Sequence, residues 1–211
     1  MIRNSLNRIR KAESIGKQKA AITAIGIFAA GIVLGIFSKW LDNLGLDSSL
    51  WRHVLLERLD LHNFFSDLAV WLLAALAIAV FSRSAVQAAI NVFVFFAGMC
   101  AAYHLYTILF SGFNPASYMM IWYGITLLSP LLAILCWYAK GSGPAALLLD
   151  AGIIAVFFLT CFSIGLFYIS LRGILYLMVF AGAAAVLYRT PKQLGISLLA
   201  GFLLSFLLCS F

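Results

Sequence analysis

The chain has 211 residues, of which 64% are hydrophobic and 10% are charged, and its formal net charge is +7. Soluble globular domains carry roughly 25% charged residues, so this composition excludes a soluble protein. Together with a mean hydropathy of +1.07, it indicates an integral membrane protein.

The first predicted element is a basic tail over residues 1–19. Apolar side chains at Ile2, Leu6, Ile9 and Ile15 recur near helical spacing among its cations. The pattern predicts a cytoplasmic amphipathic helix that lies on the anionic inner leaflet. Nucleic-acid binding is a poor alternative, because no surrounding fold would present the tail to a groove. We therefore expect no nucleic-acid partner.

Seven apolar stretches follow, and we predict that each forms a membrane span. They cover about 20–38, 64–82, 85–110, 117–139, 145–169, 173–188 and 194–210. Backbone N–H and C=O groups in lipid must pair within the protein, so spans of this kind are helices. The expected fold is an all-α polytopic bundle of about seven transmembrane helices, forming a single domain over residues 20–211.

The cations predict the orientation of the bundle. With the N-terminus inside, only Lys39, Arg52, Arg58 and Arg172 of the 14 lysines and arginines lie outside. This positive-inside bias places the N-terminus in the cytoplasm. An odd number of spans then puts the C-terminus on the extracytoplasmic side, and the bacterial cytoplasmic membrane is the expected location.

Residues 41–63, between the first two predicted spans, form the most distinctive connection. The stretch "LWRHVLLERLDLH" within it has an apolar face opposed by charged residues, and Ser48 or Ser49 precedes it as a helix cap. We expect an extracytoplasmic amphipathic segment that lies flat over the bundle.

Two stripes of small residues predict close helix contacts. Gly31 and Gly35 form a G-x-x-x-G pair in the first span, and Ser197, Gly201 and Ser205 are spaced by four in the last. Packing within the bundle is the favoured interpretation, and packing against another chain is the alternative. Trp137, near the inner end of its span, is expected to belong to an interfacial aromatic belt.

Polar side chains inside the spans are the candidate functional residues, since an unpaired polar group in hydrocarbon is costly. Asp67 lies about 5 Å and His104 about 9 Å inside the outer ends of neighbouring helices. The two could form a solute, sodium or proton site. The favoured interpretation is that Asp67 only stabilises the first turn of its helix, where the dipole favours an anion.

Asn91 and Asp150 form a second candidate layer near the cytoplasmic side. Asp150 lies about 8–10 Å deep, too far for a simple cap. We expect it to face the bundle, paired with Asn91 or reached by Arg83, Lys140 or Arg189. A structural clamp and a role in transport or proton relay are both consistent with this placement.

Catalytic motifs are absent from the sequence. Cys100 and His104 are four residues apart and would suit a nucleophile and base, or two metal ligands, but no third group accompanies them. We assign no catalytic residue, no metal and no cofactor.

Size, a cytoplasmic N-terminus and capping elements in the first and third connections resemble the substrate-capturing membrane components of energy-coupling-factor vitamin transporters. The third connection is "FSGFNPASY". The resemblance implies a small-molecule binder whose ligand lies near Asp67 and His104 and whose cytoplasmic face docks a partner subunit. Those components usually have six spans, whereas seven are predicted for this chain. The chain also resembles uncharacterised families of small multi-pass bacterial membrane proteins, a resemblance that implies no activity.

Three functions follow as hypotheses. The first is a membrane protein that binds or transports a small solute through an outward-facing pocket. The second is a non-catalytic membrane partner or assembly subunit, which would bind a membrane or cytoplasmic partner subunit, and the third is an intramembrane enzyme. Only the lipid bilayer is a partner common to all three.

Overall fold

A computed structural model describes residues 2–44, 59–165 and 167–209, and most of the predicted amphipathic segment at 41–63 lies outside these residues. Helices make up most of the described chain. The α-helices are α1 (Ile2–Ile9), α2 (Lys17–Asp42), α3 (Leu61–Ser66), α4 (Leu68–Phe81), α5 (Ala85–Tyr106), α6 (Ala116–Ala139), α7 (Pro144–Cys161), α8 (Ile174–Leu187) and α9 (Pro191–Cys209). A π-helical segment, Thr107–Ser111, extends α5.

Five of these helices are long and apolar enough to cross a membrane: α2, α5 with its extension, α6, α7 and α9. Their lengths range from 18 to 27 residues, which matches the roughly 20 that a bilayer requires. Two further helices, α4 and α8, are apolar but have 14 residues each. The chain is therefore an all-helical membrane protein with five helices of spanning length.

Helix α4 occupies the centre of the bundle. Its sequence, "LAVWLLAALAIAVF", is apolar all round, as expected for a helix that neighbours surround. Trp71 packs into a core formed with α5 and α6. Leu76 and Val80 pack into a second core formed with α7 and α8. The two cores therefore meet at α4.

Glycines bring α2 and α5 into backbone contact. A Cβ atom on Gly31 would lie 2.3 Å from the carbonyl oxygen of Phe95, and one on Gly35 would lie 2.4 Å from that of Met99. Gly98 of α5 makes the reciprocal approach to the backbone of Phe28. The first small-residue stripe thus packs within the chain, as predicted.

The second stripe is also internal. Ser197, Gly201 and Ser205 are buried on α9. A Cβ on Gly201 would lie 2.7 Å from a methyl carbon of Ile154 on α7. Helices α7 and α9 run parallel, and Gly201 allows them to pack closely.

Two predicted spans differ from the structure. The stretch predicted at 145–169 is helical only as far as Cys161, and an antiparallel hairpin follows, formed by β1 (Phe162–Ile164) and β2 (Ile169–Leu171). The stretch predicted at 64–82 is divided at Asp67, whose backbone is extended (φ −87°, ψ 158°) between α3 and α4. Apolar composition alone does not distinguish a helix end from an apolar hairpin.

The polar groups gather at the two ends of the bundle. One end, called here the basic face, is where α4, α6 and α8 end and α5, α7 and α9 begin. The opposite face contains the end of α2, the π-helical segment, the hairpin and the starts of α4 and α8. Both candidate layers lie at these ends.

Candidate functional site

Asp67 is the centre of a polar cluster on the opposite face. Because the helix breaks at this residue, its carboxylate caps α4 by accepting a hydrogen bond from the backbone N–H of Leu68 at 2.6 Å. The other carboxylate oxygen lies 2.6 Å from a guanidinium nitrogen of Arg172 and accepts a hydrogen bond from the hydroxyl of Tyr176 at 3.0 Å. Asp67 therefore joins the start of α4 to the residues that precede and begin α8.

Arg172 is held from two further sides. It donates a hydrogen bond at 2.9 Å to the carbonyl oxygen of Thr160 at the end of α7. Its guanidinium carbon lies 4.7 Å from the centre of the Tyr176 ring, in a cation–π arrangement. The Arg172 and Asp67 side chains are 38% and 23% exposed, so the ion pair is partly hydrated and stabilises the fold only modestly.

An open polar cleft of about 470 Å³ lies beside this ion pair. It is called here the outer cleft, and its lining residues are all polar: Asp60, Asn63, Ser66, Asp67, Arg172 and Tyr176. Asp60 is exposed, and its carboxylate accepts a hydrogen bond from the Asn63 amide at 2.9 Å. Since Asp67 and Arg172 offset each other, Asp60 leaves the described lining of the cleft with one net negative charge.

A second polar group adjoins the outer cleft through Ser66. The Ser66 hydroxyl donates to Asp42 at 3.2 Å, and the Tyr103 hydroxyl donates to the same carboxylate at 2.6 Å. Lys39 lies 3.9 Å from Asp42 and is buried. These contacts fix the ends of α2 and α5 against α3.

The described contacts of His104 are with Tyr123 and Asn114 and do not include Asp67. Its ring nitrogens contact the hydroxyl of Tyr123 at 2.5 Å and the side-chain oxygen of Asn114 at 2.8 Å. The described contacts of Asp67 are instead with Leu68, Arg172 and Tyr176. The structure thus places both residues toward the opposite face but in separate hydrogen-bond networks. The hypothesised Asp67–His104 contact does not form, and Asp67 caps α4 and pairs with Arg172.

A small enclosed cavity of about 20 Å³ lies among aromatic side chains near this face. Phe65, Trp71, Tyr103, Tyr118 and Trp122 form most of its wall. A cavity of this size holds about one water molecule. At this end of the described protein, the outer cleft is a polar-lined recess with room for a larger solute.

Asp150 is fully buried near the basic face. One carboxylate oxygen accepts hydrogen bonds from Arg189 and from the side-chain amide of Gln193, and the other oxygen has no partner within the described chain. Arg189 also donates to the carbonyl oxygen of Gly141. Of the predicted partners, Arg189 is the one that binds Asp150, and the expected Asp150–Asn91 pair does not form.

Asn91 belongs to a different contact. Its amide donates to the hydroxyl of Ser82 at 3.0 Å, just after the end of α4. Asn91 is buried, and its side-chain oxygen has no partner among the described residues. Asn91 therefore joins α5 to the end of α4 and contributes nothing to the Asp150 network.

Two cations close helix ends on the basic face. Lys140 donates to the carbonyl oxygens of Val186 at 2.5 Å and Tyr188 at 2.7 Å, at the end of α8. A cation at a helix C-terminus interacts favourably with the dipole. Burial lowers the pKa of the Lys140 ammonium, while the nearby Asp150 carboxylate acts in the opposite direction.

Arg10 closes two further helix ends and attaches the tail to the bundle. It donates to the carbonyl oxygens of Val80 on α4 at 2.9 Å and Trp137 on α6 at 2.8 Å. Its guanidinium carbon lies 4.4 Å from the centre of the Trp137 ring. Arg10, the residue directly after the tail helix α1, therefore makes a specific contact with the bundle. Trp137 is 1% exposed and belongs to the core, so its assignment to an interfacial belt was wrong.

The residues considered for catalysis separate in the structure. The Cys100 thiol is buried against the hydroxyl of Thr126 at 3.5 Å, while His104 binds Tyr123 and Asn114. Over the described ranges, no group of three or more His, Cys, Asp or Glu side chains is arranged to hold a metal ion. This geometry brings no base to the thiol.

Sequence reasoning missed Arg172 and Tyr176 as partners of Asp67. The available signal in the sequence was that Arg172 is one of the few cations assigned to the outer side. The first strand and the turn of the hairpin that brings Arg172 next to Asp67 fall within the span predicted at 145–169. Comparison of the chain with models of protein families, with curated proteins and with solved structures finds no match.

Proposed function

We propose that the protein crosses the bacterial cytoplasmic membrane seven times, with its N-terminus in the cytoplasm, and binds a small polar solute on its outward-facing side. The seven apolar helices alternate in direction, which supports this topology. Helices α4 and α8 are each about 21 Å long, shorter than a hydrocarbon core of about 30 Å. Helix α3 precedes α4 and the hairpin precedes α8, and these elements complete the crossing.

The outer cleft is the observation that carries the proposal. It is the polar recess at the end of the bundle that the cation distribution assigns to the outside, and the enclosed cavity nearby holds only about one water molecule. Tyr176, Arg172 and Asp67 hold one another in place, so their polar atoms are positioned before a solute arrives. Preorganisation of this kind lowers the entropic cost of binding.

The charges of the outer cleft favour a solute that carries a positive group. The Asp60 carboxylate is exposed and its described hydrogen bond is to a neutral amide, so an ammonium or similar cation would find its counter-charge there. Asn63 and Ser66 supply hydrogen-bonding groups for the rest of the solute. A cationic or zwitterionic small molecule is the class that this lining suits. Transport of such a solute would require the bundle to open beneath the cleft.

Thermal unfolding of the purified protein in detergent tests the proposal. A panel of soluble cationic, zwitterionic, neutral and anionic compounds is screened for an increase in Tm. We expect cationic or zwitterionic compounds to raise the Tm of the wild type and to lose this effect with Asp60→Asn. Asn tolerates the left-handed backbone of residue 60 (φ 50°), so this variant removes charge without straining the chain.

Glu13→Gln is the matched control, since Glu13 is an exposed carboxylate on the basic face. Its stabilisation by the same compounds should equal that of the wild type. The proposal fails if no cationic or zwitterionic compound raises the Tm, or if Glu13→Gln and Asp60→Asn lose the effect equally.

The other two hypotheses receive less support from the described residues. Both small-residue stripes are used inside the bundle, so neither remains as a surface for a membrane partner. Cys100 and His104 contact different neighbours, which removes the one arrangement that suggested chemistry.

A further inference from the structure

We propose that a groove between the starts of α7 and α9, on the basic face, binds the phosphate headgroup of an anionic phospholipid. The groove has a volume of about 420 Å³. Its polar lining comes from Arg189, Thr190, Lys192 and Gln193, and its apolar lining includes Leu147 and Ile196. This site lies at the other end of the bundle from the outer cleft and does not depend on the function proposed there.

Of the two cations that line the groove, Arg189 is offset by Asp150, and Lys192 has no described counter-charge. Asp150 is the acid that contacts the groove residues, and it is already paired with Arg189 and Gln193. Lys192 is exposed in the first turn of α9, where the helix dipole is also positive. The first turns of α7 and α9 contain no acidic residue. An anion in the groove would offset the charge of Lys192 and the positive ends of the two helix dipoles.

The donors of the groove suit a phosphate. The Nε–H group of Arg189 is buried and lacks an acceptor within the described ranges, although the side chain lines the groove. Buried donors in folded proteins are nearly always hydrogen-bonded. Guanidinium, ammonium and hydroxyl groups together form the usual set for a phosphate.

An apolar track continues from the groove along α9, which indicates a lipid in preference to a soluble anion. Ile196, Leu199 and Leu203 are spaced by three and four residues, so they lie on one side of the helix. Their exposed fractions are 42%, 64% and 54%. An acyl chain can lie along this track while its phosphate occupies the groove, which a free phosphate cannot do.

Native mass spectrometry of the purified protein tests the site. The protein in neutral detergent is titrated with phosphatidylglycerol, with phosphatidylcholine of the same acyl chains, and with inorganic phosphate. We expect the phosphatidylglycerol complex to be the tightest, and Lys192→Gln to weaken it about five-fold, the effect of one cation near an anionic lipid surface. Inorganic phosphate at the same concentration should not displace the lipid.

Lys17→Gln is the control, because Lys17 is also an exposed lysine in the first turn of a helix but does not line the groove. It should bind phosphatidylglycerol like the wild type. Equal losses in the two variants would show general surface charge and overturn the proposal. Equal binding of the two phospholipids, or displacement by inorganic phosphate, would overturn it as well. A Tm without added lipid that equals that of the wild type shows that Lys192→Gln has kept its fold.

Discussion

The contact between α2 and α5 gives the sharpest prediction of stability. In Gly35→Ala the new methyl carbon would lie 2.4 Å from the carbonyl oxygen of Met99. An ordinary contact is at least 3.4 Å, so the two helices must separate by about 1 Å along this contact. Overpacking of this kind costs about 1–3 kcal/mol.

Gly26→Ala on the same helix separates packing from helix propensity. A Cβ on Gly26 has no neighbour within 4 Å. Both variants gain the same preference of alanine over glycine for helix, about 1 kcal/mol. The difference between their free energies of unfolding therefore isolates the contact, and we expect Gly35→Ala to be the less stable by about 1–3 kcal/mol.

Reversible unfolding in mixed micelles with increasing dodecyl sulfate, followed by tryptophan fluorescence, measures this difference. Gly31→Ala should behave like Gly35→Ala, because its Cβ would lie 2.3 Å from the oxygen of Phe95. If Gly35→Ala were as stable as Gly26→Ala, the helices would not be in backbone contact and the packing described above would be incorrect.

Three further predictions concern the ends of the bundle. Arg10→Gln should lower the free energy of unfolding by about 2–4 kcal/mol, because charged hydrogen bonds to two helix ends are lost; Arg8→Gln, at an exposed residue, should change it little in the same denaturation assay. Asp150→Leu should lower the free energy of unfolding by about 3–5 kcal/mol, because it leaves the Arg189 charge unpaired. Asp150→Asn keeps a hydrogen-bond acceptor and should lower the free energy of unfolding by less. In a cysteine-free background, Phe167→Cys should react with an impermeant maleimide in intact cells and Ser142→Cys only after permeabilisation, and the reverse labelling would overturn the proposed orientation.

The apolar helices were predictable because the bilayer imposes a simple rule on composition. A span must be apolar over about 20 residues and must satisfy its own backbone. The helices at Ala116–Ala139 and Ile174–Leu187 accordingly match the predicted stretches to within a residue. The rule does not cover apolar segments beyond a helix end, which is why the first strand and the turn of the hairpin after Cys161 fall within a predicted span.

The partners of the buried polar residues were harder to predict. Helices α4 and α8 are apolar on nearly every side, so their sequences carry no signal for which face points toward which neighbour. Depth can be counted along a helix, and it placed Asp67 and His104 correctly near one end. The break in the helix at Asp67 and the hairpin before α8 decide the contact, and they bring Asp67 next to Arg172.

The Asp150 contact was partly predictable for the same reason. A carboxylate that deep needs a cation, and Arg189 was among the few that could reach it. The choice of Arg189 over Lys140 depends on three-dimensional contacts, because Lys140 donates a hydrogen bond to a carbonyl oxygen at the end of α8. The contacts of Arg10 with the bundle could not be predicted for a different reason. An amphipathic sequence pattern is the same whether the segment lies on lipid or on protein.

The capping role of Arg10 and Lys140 links orientation to folding. Cations near span ends bias how a chain inserts into the membrane. Here these same cations close the C-terminal ends of α4, α6 and α8. In the proposed orientation, replacing Arg10 and Lys140 with neutral residues would weaken the positive-inside bias and would also remove hydrogen bonds from three helix ends.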